Sequence, residues 1–363
     1  MSRTSLPAVF PSKTLTAGWM AASESGIARR DFLRVIGITG LGLGFNLQHT
    51  EAAPLGSATA EAKAAIIPSG EIVVGLDIGT SKVCAVVAER QPDGSIKILG
   101  VGQAPSRGVR RSEIVDSAAA GKCVREALVD AEAKSDVMIG CVRLAVTGRQ
   151  SIHSVRCVWD VGVEIERLVF APVASAEAVL SADQKELSAL VIDMGGGTTD
   201  YAIYACGALV QSDCFTVGSQ HIANDLSLAF RIPMARAERL ALDEGSVLLG
   251  RSLPAERIVL PAEPGFADRE VGREMLNTII HCRVRETFER VKRHLETSGV
   301  QLDSFHAGVH LTGGCSMLRG IDELAQKVFG IPAHLARVKG IPGFAATLDD
   351  PQYSCAIGLV KFG

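Results

Sequence analysis

The chain has 363 residues, of which 47% are hydrophobic and 21% charged, a balance typical of globular proteins and too apolar for a disordered tail. Its 37 basic and 40 acidic residues give a formal net charge of −3, and no basic run with interleaved aromatic residues occurs, which argues against nucleic-acid binding. The nine cysteines are scattered and never form a C-x-x-C pair, which favours reduced, buried thiols and a cytoplasmic location.

Residues 1–68 form an N-terminal extension that differs in character from the rest of the chain. Arg29 and Arg30 precede an apolar stretch over residues 35–47, a pattern typical of a twin-arginine export signal. Thirteen residues that include four glycines are too few to cross a bilayer as a helix. Export, retention as a membrane tether and a translation start further along the chain all remain open.

From Glu71 onwards the sequence predicts a sheet that begins with antiparallel strands. Runs of β-branched residues predict strands over residues 72–76, 83–89 and 96–102, joined by tight turns at 77–82 and 92–94. Glycine at the first turn allows backbone N–H groups to converge on an anion. The candidate phosphate ligands in this turn are Gly79, Thr80, Ser81 and Lys82.

An aspartate stands at the end of the strand before this turn, and the arrangement recurs more than a hundred residues later. Asp77 cannot bind phosphate directly, so its natural partner is the Mg²⁺ that a nucleotide carries. The stretch "LVIDMGGGTTDYAIY" places Asp193 before a second glycine turn. We expect Asp77 and Asp193 to hold Mg²⁺ through water and to be the catalytic pair. The second turn adds the candidate phosphate ligands Gly195, Gly196, Gly197 and Thr198.

A third glycine turn follows a predicted strand near residue 309. In "VHLTGGCSMLRGI" we expect Gly313, Gly314 and Ser316 to pass beneath an adenosine, with a helix beginning near Ser316. His306 and His310 have a spacing that suits a metal on a helix, but the surrounding residues predict a strand, which would hold the two rings far apart.

These three turns resemble the phosphate-1, phosphate-2 and adenosine motifs of the actin-like ATPases, the superfamily of actin, heat-shock chaperones and sugar kinases. Within that superfamily the chain resembles the FtsA family of bacterial cell-division proteins, most specifically over residues 75–89, 100–116, 168–209 and 349–363. The resemblance implies an α/β, actin-like (ribonuclease-H-like) two-lobed ATPase fold with an inserted subdomain, and ATP and Mg²⁺ as cofactors.

By that resemblance the chain divides into four parts. Residues 69–187 correspond to subdomain 1A, completed by 344–363, and residues 188–223 to subdomain 2A, completed by 306–343. The inserted subdomain 2B takes residues 224–305 and ends in an amphipathic helix over residues 273–299. Its predicted buried stripe is Met275, Ile279, Ile280, Val284, Phe288, Val291 and Leu295.

The family resemblance also implies partners and a place in the cell. A protein of this kind links FtsZ to the cytoplasmic membrane at the division septum, with possible self-association. The charged helix face from Arg283 to Lys292 would receive the acidic, apolar C-terminal peptide of FtsZ, although such a face is more often solvated surface. The alternatives are an actin-fold small-molecule kinase or phosphatase and a pilus-assembly-type ATPase adaptor.

Several departures from the family pattern bear on function. The stretch that would hold subdomain 1C is short here, so we expect that subdomain to be missing and filament formation to be affected. The chain ends at Gly363 where relatives continue to an amphipathic helix, so we expect residues 28–47 to supply membrane attachment. Ser112 stands where the family commonly has glycine.

The nucleotide motifs themselves are changed at three places. Gly218 and Glu238 are retained, and Glu238 resembles the family acid that contacts ribose. Ala223 replaces a common threonine and Ala241 a common lysine. Ala171 precedes Pro172, where many relatives carry the glutamate that orients the attacking water, and Glu177 lies too far along the helix to replace it. We therefore expect ATP binding with slow or absent hydrolysis.

Overall fold

The computed structural model describes residues 70–363, apart from 111, 149–150, 252, 254, 264, 266, 339–340 and 342–348. The extension 1–68 and its twin-arginine-like segment lie outside the described residues. Within the described part of the chain, no helix has the length and apolar character needed to cross a membrane.

Two five-stranded sheets with the same strand order form the two lobes. The first sheet has the order β3-β2-β1-β6-β7, and the second the order β10-β9-β8-β13-β14. In each sheet the first three strands along the chain pair antiparallel, and the last two run parallel to the first. The strands of the first sheet are β1 (Glu71–Ile78), β2 (Lys82–Arg90), β3 (Ile96–Pro105), β6 (Cys141–Val146) and β7 (Glu164–Phe170). Those of the second are β8 (Ala189–Met194), β9 (Thr199–Ala205), β10 (Ala208–Phe215), β13 (Val309–Thr312) and β14 (Ala333–Leu335).

The three strands predicted for the first sheet are confirmed, because each expected run lies inside β1, β2 or β3. A short hairpin, β4 (Val109–Arg110) and β5 (Glu113–Ile114), then leads to α1 (Ser117–Ser135). Helix α2 (Ser151–Asp160) connects β6 to β7. The apolar side chains of α1 and β1–β3 form the core of this lobe.

Two helices lie between the sheets. Helix α3 (Ala171–Val179) packs against α9 (Ser354–Lys361), and Gly358 lies so close to the carbonyl of Ala174 that no other residue would fit there. Their apolar side chains join strands of both sheets in one cluster that includes Val73, Val191 and Ile357. The last helix therefore returns to the first lobe and ties it to the second. A short helix, α4 (Ala182–Glu186), leads from α3 to β8.

The remaining elements extend the second lobe. They are α5 (Ser219–Phe230), α6 (Met234–Glu244), the hairpin β11 (Arg257–Leu260) with β12 (Arg269–Gly272), α7 (Arg273–Thr297) and α8 (Ile321–Phe329). Helix α7 ends at Thr297, and Gly299 has a positive φ, which confirms the predicted end at Ser298-Gly299.

One position of the predicted apolar stripe on α7 is wrong. The Met275 side chain is 58% exposed, and the neighbouring Leu276 is buried instead. Leu276 lies four positions before Ile280 and so shares the buried face of the helix, whereas Met275 lies one position off that face. From Ile280 onwards the predicted positions are buried as expected, with Val284, Phe288, Val291 and Leu295 fully enclosed.

Candidate functional site

The candidate site is a cavity of about 480 Å³ between the two lobes, a volume within the range of small-molecule sites. Most residues that the sequence singled out line it: Asp77, Gly79, Thr80, Ser81, Lys82, Asp193, Gly195, Gly196, Glu238, Gly313 and Gly314. Four others, Gly197, Thr198, Gly218 and Ser316, are not on the cavity wall. The structure thus brings three turns distant in sequence to one place.

The first two turns have the same backbone geometry. In the first, the Gly79 amide donates to the carbonyl of Lys82 at 3.0 Å, and in the second the Gly195 amide donates to that of Thr198 at 2.9 Å. Asp77 is the second-to-last residue of β1 and lies opposite Cys84, and Asp193, second to last in β8, lies opposite Asp200. The turns meet at their tips, since a side chain on Gly196 would collide with the Ser81 hydroxyl.

Gly218 supports the second turn from behind. The amides of Ser219 and Gln220, in the first turn of α5, donate to the carbonyls of Gly195 and Gly196 at 3.0 and 2.9 Å. A Cβ on Gly218 would lie 2.5 Å from the Gly195 carbonyl oxygen, so only glycine permits this approach. Gly218 therefore fixes the glycine turn and does not itself line the cavity.

The third turn packs on the carboxylate of Asp193. Gly313 has φ of 82° and lies so close to Asp193 Oδ1 that there is no room for a side chain. Ser316 is fully buried and its hydroxyl donates to the Gly313 carbonyl at 2.7 Å, which holds the turn in shape. The prediction of a helix beginning near Ser316 is wrong. Residues Gly314–Met317 form a 3-10 turn, and α8 begins only at Ile321.

Asp77 and Asp193 line the cavity, Asp200 is buried and does not line it, and each of the three carboxyl groups has a raised pKa. Burial and the charge of Asp193 raise the pKa of Asp77 to about 6, against the opposing effect of Lys82. Burial raises the pKa of Asp193 to about 6, although the Ser175 hydroxyl donates a 2.5 Å hydrogen bond to its Oδ2. Burial raises the pKa of Asp200 well above its usual value.

These carboxyl groups fit a divalent cation held through water. The charged carboxylates repel one another, and a bound cation would relieve this repulsion. Their oxygen atoms are also the donors that Mg²⁺ prefers. In the described part of the chain, no three His, Cys, Asp or Glu side chains converge closely enough to hold a metal directly. His310 lies on β13, whereas His306 precedes it in a turn.

Lys82 is held by residues from the far end of the chain. Its Nζ donates to Gln352 Oε1 at 2.7 Å and lies 3.7 Å from the centre of the Tyr353 ring. The Gln352 amide donates in turn to Asp350 Oδ2 at 2.6 Å. Burial lowers the pKa of Lys82. Asp350, Pro351 and Gln352 line the cavity beside the first turn.

Sequence reasoning missed several residues of the site, namely Ser175, Ser219, Met317, Asp350, Gln352 and Cys355. Ser175 contacts Asp193 from α3, and the Cys355 thiol bonds to Asp77 from α9. Only the segment around "DDPQYSC" carried a signal, because it was among the family-specific stretches. The others follow no spacing rule that connects them to the turns.

The position expected to hold a water-orienting acid is apolar. Ala171, at the start of α3, is 5% exposed and belongs to a cluster with Ala145, Cys355 and Leu359. Glu177 accepts hydrogen bonds from Lys185 Nζ at 2.6 Å and from the Tyr204 hydroxyl at 3.3 Å, and it does not line the cavity.

Comparisons with known proteins agree with this geometry. The family model described as "Cell division protein FtsA" matches residues 190–358, which include the second and third turns. The chain is 29% identical to the cell division protein FtsA of Neisseria meningitidis, across 78% of this chain and 88% of the relative. It is 27% identical to that of Escherichia coli K12, across 81% and 90%. The chain is thus similar to FtsA proteins over about four fifths of its length.

Solved structures show the actin-like fold for this chain, as the sequence predicted. MreB5 of Spiroplasma citri bound to AMPPNP matches with a TM-score of 0.59 and 20% identity, over 80% of this chain and 95% of that one. The protein EutJ from Carboxydothermus hydrogenoformans matches with a TM-score of 0.58 and 19% identity, over 81% and 90%. A PilM-PilN pilus complex also has a TM-score of 0.58, at 15% identity, over 79% and 97%.

The alignment with the Neisseria FtsA leaves part of that relative unmatched. It spans 365 positions but uses 78% of the 363 residues here, about 283, so about 82 positions in total have no counterpart in this chain. Between β6 and β7, this chain has only the segment that contains α2.

Proposed function

We propose that this protein is a member of the FtsA family that binds Mg-ATP between its two glycine turns and links FtsZ to the cytoplasmic face of the membrane at the division site. The observation that carries the nucleotide part is the pair of equivalent turns, each preceded by a half-buried aspartate, facing each other across one cavity. The amides and hydroxyls of Gly79, Thr80 and Ser81 are suited to phosphate oxygens. The bound cation would neutralise the phosphate charge, held through water by Asp77 and Asp193.

In this proposal the protein binds ATP and hydrolyses it slowly or not at all. Hydrolysis requires a group that orients water beside the γ-phosphate, and Ala171 provides none. The Gln352 amide, the neutral group nearest Lys82 on the cavity wall, is already bonded to both Lys82 and Asp350. ATP would then stabilise one arrangement of the lobes instead of being consumed rapidly.

The surface proposed for FtsZ changes in detail from the sequence-based expectation. The face from Arg283 to Lys292 is not purely basic, because each arginine and lysine on it forms an ion pair with an acidic side chain. These pairs are Arg283 with Asp225 and Glu286, Arg285 with Glu289, Arg290 with Glu286, and Lys292 with Glu296. A face of balanced charge offers an acidic peptide little net attraction.

A groove between α5 and α7 offers what that face lacks. Leu228, which is 71% exposed, and Ile279 line it together with Cys282, and Arg283 lies at its edge. The apolar side chains of the peptide fit this groove against Leu228 and Ile279, whereas Arg283 is already paired with Asp225 and Glu286. We therefore place the FtsZ peptide in this groove.

Membrane attachment through residues 28–47 gains support from the placement of the described chain ends. Gly70 adjoins Arg90, since Glu71 pairs with Arg90 across β1 and β2. The Arg90 guanidinium donates to the carbonyl of Gly363 at 2.7 Å. Gly70, the first described residue, thus lies at the same corner of the fold as Gly363. A tether on either end would orient the protein alike.

The absence of subdomain 1C is also part of the proposal. The gap of about 82 positions and the short connection through α2 both support it. Any self-association would then use other surfaces. The subdomain boundaries given above remain predictions, as does the septal location.

The kinase, phosphatase and pilus-adaptor alternatives have less support. The PilM likeness rests on the fold alone, at 15% identity. A small-molecule kinase needs an acceptor site beside the γ-phosphate. The remaining acids on the cavity wall are Glu238, Asp243 and Asp350. Glu238 is the expected ribose contact, and Asp350 is bonded to Gln352.

Co-sedimentation with vesicles tests the linking function. The full chain, FtsZ and Mg-ATP are mixed with vesicles that contain anionic phospholipid. We expect FtsZ to pellet with the vesicles only when the full chain is present, and FtsZ without its C-terminal peptide to stay in the supernatant. FtsZ that remains soluble while this protein pellets would refute the link.

A matched pair of variants locates the groove. Leu228→Asp should abolish FtsZ recruitment, because it places a charge where apolar side chains would dock. Val259→Asp changes an equally exposed residue of β11, at 62%, and should leave recruitment unchanged. Equal loss or equal retention in the two variants would show that the peptide binds elsewhere.

A further inference from the structure

Ser112 forms a hydrogen-bonded connection between the two phosphate turns, which belong to opposite sheets. Its amide donates to Thr80 Oγ1 at 3.0 Å, and the two hydroxyl oxygens are 3.3 Å apart. On the other side, the Ser112 hydroxyl donates to Thr198 Oγ1 at 3.4 Å, and that hydroxyl donates to Asp200 Oδ2 at 3.4 Å. A chain of hydroxyl groups therefore runs from one lobe to the other.

The backbone of Ser112 is strained. Its φ is +60°, a conformation that glycine adopts freely and that costs other residues about 1 kcal/mol. Strain of this kind at a cleft points to a role for the side chain.

The Ser112 hydroxyl lies between two threonines that are largely shielded from water. Thr80 and Thr198 are each 6% exposed, so water has little access to bridge them. Ser112 lies in the β4–β5 hairpin, which is itself anchored to the first turn because the Ser106 amide donates to the Ser81 carbonyl at 3.1 Å. The hairpin thus extends the first lobe across to the second.

We infer that Ser112 is a positioning residue that sets the separation of the two phosphate turns before nucleotide binds. Turns held at the correct distance lose less freedom when the phosphates enter between them, which strengthens binding. This inference rests on the proposed function, since it concerns the same ATP site. It adds a regulator of lobe separation that lies in the segment 106–116 and not in any of the three nucleotide motifs.

Two substitutions separate the hydroxyl from the backbone strain. Ser112→Gly removes the hydroxyl and relieves the strain, whereas Ser112→Ala removes the hydroxyl and keeps the strain. Ser188→Gly is the matched control, because Ser188 also has a positive φ, of 67°, but lies in the connection before β8 and away from the cavity.

Calorimetric titration with Mg-ATP gives the first measurement. We expect both Ser112 variants to bind about three- to tenfold more weakly than the native protein, the effect of one lost hydrogen bond. Ser188→Gly should bind as the native protein does, and both glycine variants should have equal or higher melting temperatures. Native affinity in Ser112→Gly, or an equal loss in Ser188→Gly, would overturn the inference.

Hydrogen exchange of the nucleotide-free protein gives an independent measurement. Peptides covering residues 77–84 and 193–200 should exchange faster in Ser112→Gly than in the native protein or in Ser188→Gly. Unchanged exchange in these peptides would refute the positioning role whether or not ATP binds. If the native protein fails to bind Mg-ATP while the exchange difference is present, the proposed function fails and the positioning role stands.

Discussion

Gly313 packs its α-carbon directly on the carboxylate of Asp193, so the adenosine turn and the second phosphate turn form one unit. Since Gly313 also has a positive φ of 82°, both its conformation and its surroundings exclude a side chain. A change at the third turn is therefore transmitted to the aspartate proposed to hold Mg²⁺.

We predict that Gly313→Ala lowers the free energy of unfolding by about 2 kcal/mol or more, from backbone strain and from displacement of Asp193. Gly314→Ala is the control, because a Cβ there would meet only Gln352 at 3.8 Å and should change stability by less than about 0.5 kcal/mol. Urea unfolding of both variants measures the difference. Equal stabilities would show that the turn adapts without cost.

The buried carboxyls predict how stability depends on pH. Asp77 and Asp193 have a folded pKa of about 6 and an ordinary value of 3.8, so between these values the folded protein holds protons that the unfolded chain has released. The free energy of unfolding of the nucleotide-free protein should therefore fall as the pH rises from about 4 to 6, and remain reduced above it.

A substitution isolates this effect. Asp193→Asn should raise the stability of the nucleotide-free protein at pH 7.5 by about 1 kcal/mol or more, and leave it unchanged near pH 4. The same variant should lose the stabilisation that Mg-ATP gives the native protein. Melting curves across pH measure both effects, with the exposed Asp303→Asn as control. A variant less stable than the native protein at pH 7.5 would contradict the prediction.

Ser175 should influence the site through Asp193. Ser175→Ala removes the 2.5 Å hydrogen bond, so the pKa of Asp193 should rise further and less of its carboxylate should be charged at pH 7. We expect Mg-ATP affinity about threefold to tenfold lower at pH 7 and nearly normal at pH 8.5. Ser154→Ala, at a buried serine of α2, should show no such pH-dependent loss. A loss independent of pH would point to a purely structural role.

Phosphate release from ATP should be close to background. Ala171 lies in an apolar cluster and provides no group that could orient an attacking water. Steady-state release in the presence of Mg²⁺, FtsZ and vesicles measures this. Turnover above about 1 per second would show that another residue of the cavity, such as Gln352, activates water.

Membrane binding should depend on residues 28–47. The three arginines in this segment are attracted to anionic lipid by roughly 1 kcal/mol each, so binding should be reversible and weakened by salt. The full chain should co-sediment with anionic vesicles, and a chain that starts at Ile66 should not. Binding of the shorter chain without FtsZ, or recovery of the full chain cleaved in the periplasm, would refute the tether.

The sequence by itself determined the local elements of this site. The strands that end at Asp77 and Asp193, the glycine turns after them and the end of α7 at Ser298-Gly299 all follow from short-range patterns of side-chain size and backbone freedom. The repeated design also indicated two related lobes, which the identical strand order of the sheets confirms.

Only the tertiary structure decided which residues hold these turns in place. Lys82 meets Gln352 across 270 positions of sequence, and Ser112 reaches Thr198 across 86. The spacing of residues along the chain does not encode such contacts, because they depend on how the two sheets and helices α3 and α9 pack. Tertiary packing also decided which of two adjacent apolar residues at the start of α7 faces the core: Leu276 is buried and Met275 is 58% exposed.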